Sequence, residues 1–506
     1  MALMTTHATD AGEHPKVDDA ALELRHIRDD VAALRESVAR QGETRLLDWG
    51  ATGAGARNLA HYLALRGHDL IALQLRLSAY GLSSLGRSEA DVMTALDAVL
   101  ATLRRLCGEA ADYPACAAMG AGEEALARAC DQIFGACDSA RHTRIMATLP
   151  SEAAADAGLV LALIDAGMDC ARINCAHDDA AAWSRMIDNV RAASRRLGRN
   201  CRVLMDIAGP KLRVEAVRAP EKYRLHPGER PRLVAHLDKH SGPIAFSLNF
   251  PQVVAQLRPG AEISFDDGKA VGRIVAVDDE GADIDIVAAR AKGMRLKPDK
   301  GVNLPSIDLE LPPLTPKDLA DLDLVARAAD LVGFSFVQRV EDVLLLQAEL
   351  AARRGDQPAQ ALVLKIETPL AVRNLPRLIV ESATRNPTAV MIARGDLAVE
   401  VGFARLSEMQ EEILWLCEAA HVPVIWATQV LDQFVHEGVA SRAETTDAAM
   451  AQRADCIMLN KGDYLPQGVR FLRDVITRME RHQSKKFARL GKLRAWTRDS
   501  TDADSA

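Results

Sequence analysis

From residue 143 onward the chain repeats one rhythm, a short apolar run followed by a stretch whose apolar residues recur at the i, i+3, i+4, i+7 spacing of a helix. The runs are TRIMATL, CARINCA, RVLMDIA, LVGFSFV, ALVLKIE, AVMIARG, PVIWATQ and CIMLN, eight in all. Strands buried on both faces read as unbroken apolar runs, and alternation with helices demands parallel pairing. Eight such units therefore predict an α/β fold, a closed (β/α)8 TIM barrel. The helix after the third run opens at TPKD, with Thr315 as its cap and Pro316 in its first turn.

Two intervals break the rhythm. Residues 17–140 carry helical spacing only, in ALELRHIRDDVAALRESVARQ, RNLAHYLALRGHDLIALQLRLSAYG and SEADVMTALDAVLATLRRL, and predict an N-terminal all-α domain. Its glycine-rich WGATGAGARN follows no strand, so it reads as a helix-start loop without chemistry. The second interval, after LMDIAGPKLRV, is far longer than a βα loop needs. There PRLVAHL, AEISFDDG, KAVGRIVAV and ADIDIVAA alternate with Gly- and Asp-rich turns, as in a small inserted all-β domain. It leaves the C-terminal end of the third strand, where barrel enzymes place their sites, so it is expected to act as a lid. The expected organisation is a disordered N-terminus (1–16), helical domain (17–140), barrel (141–215), β lid (216–302), barrel (303–483) and basic tail (484–506). The tail, with Phe487 and Trp496 among its Lys and Arg, reads as a solvated final helix that frays.

Composition narrows the function. The 506 residues are 48% hydrophobic and 26% charged, an ordinary globular balance. No run of roughly 18 apolar residues is present to span a bilayer, so no membrane role is expected. The net charge of −8 argues against a nucleic-acid partner. Nine cysteines fall singly and the N-terminus lacks a secretory pattern, which points to the cytoplasm.

Candidate chemistry gathers at the ends of the runs. Arg172 and Asn174 end the second, Asp206 and then Arg213 the third, Lys365 and Glu367 the fifth, Arg394 and Asp396 the sixth, Thr428 and Gln429 the seventh. Strand alternation points Lys365 and Glu367 the same way, and the next strand brings Asp396 beside them. Two neighbouring carboxylates with open positions suit a hard ion, Mg2+ or Mn2+. Arg172, Arg213, Lys365 and, from the lid margin, Lys300 form a positive collar for phosphoryl oxygens. The backbone N–H groups of Arg394-Gly395-Asp396, at a helix start, suit a carboxylate. The expected substrate is a phosphorylated small acid.

These residues sit in AGMDCARINCAH, MDIAGPKLR, FDDG, KGVNLPSIDLELPPLTPKD, SFVQRVEDV, LKIET, ARGDLAVEVG, PVIWATQVL, SRAETTDAA and DCIMLN. In this order they resemble the pyruvate kinase family over residues about 141 to 475. The resemblance implies phosphoryl transfer between phosphoenolpyruvate and ADP, giving pyruvate and ATP, in a homo-oligomer. By it Glu367 and Asp396 hold the divalent metal, Lys365 stabilises the moving phosphoryl group and the enolate, and Arg172 contacts the phosphate. Asn174, Asp206 and Arg213 line the pocket, Gly395 helps hold the carboxylate, Thr428 lies near the site of enolate protonation, and Lys300 and Asp267 belong to the lid side.

Some positions depart from the family's pattern. Many members need K+; here the Ser of that site is Ala176 and its Glu is Lys211, whose ammonium can stand in for a monovalent cation, so K+ is expected not to be required. TLPSEA and MLNKGDY, with Asn460 and Lys461, differ from the usual nucleotide-side motifs and open the nucleotide preference to change. About thirty residues follow the last barrel helix, so the usual sugar-phosphate activation is expected to be absent and the helical domain to take over subunit contacts. Alternatives are another metal-dependent enolate enzyme, such as a pyruvate aldolase or lyase, and a catalytically weak regulatory homologue.

Overall fold

The computed structural model describes residues 17–137, 141–238 and 242–489, so the expected disordered N-terminus lies outside the described residues. Eight parallel strands close into a barrel: β1 (Arg144–Thr148), β2 (Cys170–Asn174), β3 (Arg202–Ile207), β4 (Leu331–Phe334), β5 (Ala361–Ile366), β6 (Thr388–Ala393), β7 (Val424–Ala427) and β8 (Cys456–Leu459). Each strand pairs with the next, and β1 closes on β8 with Arg144 opposite Cys456. The interior is packed with Met146, Leu204, Leu331, Val363, Met391, Ile425 and Met458, and Ile133 and Phe134 join the same core. It is a filled core, as strand tilt in an eight-stranded barrel requires. The helix after the lid runs Pro316–Ala328 with Thr315 as its cap, in a capping box with Asp318.

A repeated device locks the strand starts. Asp169, Asp330 and Asp455 immediately precede β2, β4 and β8. Each carboxylate accepts the backbone N–H of the preceding strand, from Ile145 at 2.8 Å, Val203 at 2.7 Å and Val424 at 2.9 Å. Each Asp N–H donates back to that same residue's carbonyl. A cation then neutralises each carboxylate: Arg141 for Asp169 at 2.7 Å, Arg191 for Asp330 at 2.7 Å and Lys485 for Asp455 at 2.6 Å.

Over residues 484–489 the structure departs from the reading of the tail as a solvated helix, and the rest of the tail lies outside the described residues. The last helix ends at Met479, and Gln483–Ser484 pairs antiparallel with Phe487–Ala488. A half-buried lysine bonded to Asp455 holds this turn, a partner that the sequence does not announce; Trp496 lies outside the described residues.

The inserted segment forms a seven-stranded sheet in the order Val302–Asn303, Glu262–Phe265, Ala270–Val277, Gly281–Ala289, Arg232–Val234, Ala245–Leu248, Val214–Arg218. The pairing is antiparallel except between Arg232–Val234 and Ala245–Leu248, which run parallel. Its own core is centred on Phe246 and Phe265, edge to face at 5.6 Å.

Compact packing divides the chain between Glu124 and Ala125. In the first unit helices Val17–Trp49, Ala54–Leu65, Ile71–Ala79 and Val92–Leu106 bury Ile27, Val31, Val38, Leu59, Leu77, Leu96 and Leu103. Arg35 to Asp97, 2.8 Å, ties the long helix to the fourth. The single helical stretch read over RNLAHYLALRGHDLIALQLRL is two helices, broken at Arg66–Leu70 around Gly67. No helix among the described residues is long and apolar enough to cross a membrane.

The buried Arg141–Asp169 pair carries a prediction. Arg141's side chain is 1% exposed, so Asp169→Ala strands its charge inside the protein. We expect a loss of about 3–5 kcal/mol in urea unfolding, against under about 1 kcal/mol for Asp97→Ala in the half-exposed pair. Equal midpoints for the two variants would refute the clasp.

Candidate active site

At the C-terminal ends of the strands lies a cavity of about 660 Å³. Arg172 and Asn174 from β2, Lys365 from β5, Glu367 just beyond it, Asp396 after β6 and Thr428 after β7 line it, with Lys211 and Arg213 from the segment leading into the lid. Asp206, 1% exposed, lies beneath. Its carboxylate takes Arg172 Nε at 2.9 Å and Nη2 at 2.5 Å, and Lys365 Nζ at 3.1 Å. Lys365 also donates to Ser335 Oγ at 2.7 Å and stands 3.4 Å from Glu367. Glu367 is held from its other side by the Phe336 N–H at 2.6 Å.

This packing sets the charges. Burial by itself would lower the Lys365 pKa, but the negative charges of Asp206 and Glu367 outweigh it and raise the pKa, keeping the ammonium charged. Burial would likewise raise Asp206, yet Lys365 and Arg172 bring its pKa down. Glu367 goes the other way: burial raises its pKa and the nearby Asp396 adds to the rise, against the pull of Lys365. Thr428 sits in left-handed backbone, φ +67, and its buried hydroxyl has no hydrogen-bond partner among the described residues. A non-glycine residue in that conformation with an unsatisfied hydroxyl is an arrangement found where a ligand completes the site.

Residues 140–467 match the family described as pyruvate kinase, barrel domain. Among similar proteins, the pyruvate kinase of Agrobacterium vitis is 32% identical over 68% of this chain and 71% of its own. That of Geobacillus stearothermophilus is 32% identical over 67% of this chain and 57% of its own. The chain belongs to the pyruvate kinase family. It spans little more than half of the Geobacillus relative's length. A crystal structure of a pyruvate kinase from Cryptosporidium parvum shares the fold, with TM-score 0.61 and 24% identity over 67% of this chain and 70% of that one.

Within this family fold, not every residue expected in the site faces the cavity. Arg394 is turned away from it: Nε and Nη2 donate to the Ala427 and Thr428 carbonyls at 3.0 and 2.5 Å, Nη1 meets Asp447 at 2.7 Å, and the guanidinium stacks over Trp426. It braces the end of β7 because three acceptors and an aromatic face already satisfy it. Lys300 is paired with Asp266 at 2.8 Å in the lid, and neither it nor Asp267 lines the cavity. Gly395 opens the helix Arg394–Val401, and a Cβ there would lie 3.8 Å from Thr428 Oγ1, so its bare backbone borders the unpartnered hydroxyl. Lys211 Nζ meets both Asp396 oxygens, at 2.8 and 3.0 Å. Ser335 and Lys317 line the cavity and were missed. Ser335 lies inside the fourth run, which showed no charge to draw notice; Lys317 stands in TPKD, read only as a helix start, and donates to the Cys175 carbonyl at 2.7 Å.

The donor set fits a divalent ion. Among the described residues no three His, Cys, Asp or Glu side chains gather into a closed cage. Glu367 and Asp396 instead line the cavity as a pair of hard-oxygen donors, Asp396 bridged by Lys211, which suits an ion that keeps positions for water and substrate.

Glu400, on the same helix as Asp396, accepts Asn303 Nδ2 at 2.8 Å, joining barrel to lid sheet. Burial, then Asp396, raises its pKa from 4.5 to about 7. A carboxyl raised in the folded state binds its proton more tightly there than when unfolded. Its contribution to stability is full below the unfolded value and is lost as pH climbs through about 7. In buffer free of divalent ions, Glu400→Gln should remove a fall of up to about 3 kcal/mol between pH 5 and 8, measured by urea unfolding. Parallel pH profiles for variant and parent would contradict it.

Proposed function

We propose that this chain transfers the phosphoryl group of phosphoenolpyruvate to ADP, giving pyruvate and ATP, as a glycolytic pyruvate kinase. The observation that carries the reading is the meeting of Lys365, Arg172, Glu367 and Asp396 on one cavity wall, within a chain of this family.

Phosphoryl transfer leaves little covalent work to the protein, so positioned charge does most of it. Lys365, fixed by Asp206 and Ser335, has its ammonium at the cavity floor, where it offsets charge on the moving phosphoryl group and on the enolate left behind. Arg172, held in plane by Asp206 and bonded to Thr148 Oγ1 at 3.0 Å, presents its guanidinium to the phosphate. Glu367 and Asp396 would hold Mg2+ or Mn2+, whose charge, when bound, neutralises phosphoryl and carboxylate oxygens. The backbone at Gly395 receives the substrate carboxylate, since no side chain bars its approach. The unpartnered Thr428 hydroxyl serves the protonation of the enolate. Asn174 and Arg213 line the same cavity.

Lys211 makes a monovalent ion unnecessary. Its ammonium on Asp396 supplies the positive charge that K+ brings elsewhere in the family, and Ala176 offers no hydroxyl to bind one. All nine cysteines are free, which favours the cytoplasm.

A coupled assay of pyruvate formation with Mg2+ tests the reading. Turnover should persist without K+, and Lys365→Ala should cost about 10²–10³-fold or more in kcat. No turnover with any divalent ion would overturn the assignment. Separately, Lys211→Glu should create a requirement for K+; a variant indifferent to K+, or a parent that needs it, would refute the stand-in role.

A further inference from the structure

At the other end of the barrel, between the starts of β3, β4 and β5, a second pocket of about 340 Å³ opens, a size suited to a small ligand. Its charged lining is Arg191, Arg202, Arg327 and one carboxylate, Asp330. Arg191 satisfies that carboxylate at 2.7 Å, and the same oxygen also takes the Val203 N–H. Arg202 stays 3.7 Å from Asp330, and its guanidinium makes no hydrogen bond among the described residues; its Nε is buried and unpartnered. Arg327 donates Nε to the Asp323 carbonyl at 2.7 Å, and its two terminal nitrogens have no hydrogen bond among the described residues.

Arg202, 3.7 Å from Asp330 and with a buried Nε that has no hydrogen bond among the described residues, is incompletely matched, and the exposed Arg327 lines the same recess. Two guanidiniums in excess of carboxylate match the charge and the paired oxygens of a phosphate monoester. Pro358 and Pro387 supply an apolar wall for a carbon body. We propose that this pocket is an anion site for a small organic phosphate, gripped by Arg202 and Arg327. None of its residues belongs to the catalytic cavity, so the site stands independently of the proposed reaction.

The test is calorimetric titration of the full chain with inorganic phosphate and with glycerol phosphate. All titrated proteins carry Arg172→Gln, which silences the phosphate contact in the catalytic cavity. One site is expected in that background, weakened at least about tenfold by Arg327→Gln and abolished by Arg202→Gln with Arg327→Gln. Otherwise unmodified protein with Arg327→Gln should form pyruvate at the parent rate. Arg327 is exposed, so its single variant decides the matter if the double variant fails to fold. No binding in the Arg172→Gln background, or equal affinity after Arg327→Gln, would overturn the proposal.

Discussion

The site depends on one buried carboxylate. Asp206 is almost sealed from solvent, and it survives ionised only because Arg172 and Lys365 both reach it. The dependence is mutual, since a lysine at the barrel floor stays charged only with a negative partner at hand. Space for this triad comes from the neighbouring strand. Gly333 of β4 lies opposite Asp206, and any Cβ there would fall 2.6 Å from Asp206 Oδ1. The missing side chain lets three ionised groups share a volume that an apolar core would otherwise fill.

The barrel's two ends are built by the same logic for different purposes. At the strand starts, three aspartates clasp backbone and cation together, beside the arginine-lined recess. At the strand ends a hydroxyl with no partner among the described residues, a carboxylate pair, a lysine and an arginine line an open cavity. A closed network gives rigidity, and an open one gives affinity for whatever completes it. The lid is joined to this frame near the site by Asn303 on Glu400 and by Lys211 on Asp396.

Much of the site was legible because strand alternation is a strict rule. It places Lys365 and Glu367 on one side of β5, and parallel order puts β6 and Asp396 next to them. Side-chain destinations were less legible. Arg394, next but one to Asp396 in the chain, turns to Asp447, fifty-three residues away, and nothing local announces that partner. Ser335 was overlooked because a lone serine inside an apolar run carries no signal until a lysine from the next strand is seen to need it.

By itself the sequence determined the period of the elements, the number of barrel strands, the place of the inserted sheet and the residue types at the strand ends, since hydrophobic spacing and turn chemistry are local. Only the tertiary structure decided which cation meets which carboxylate: Lys485 with Asp455, Lys211 with Asp396, Lys365 with Asp206. Pairing of charges depends on distance in space and on exclusion of water, and neither is written in the spacing of residues along a chain.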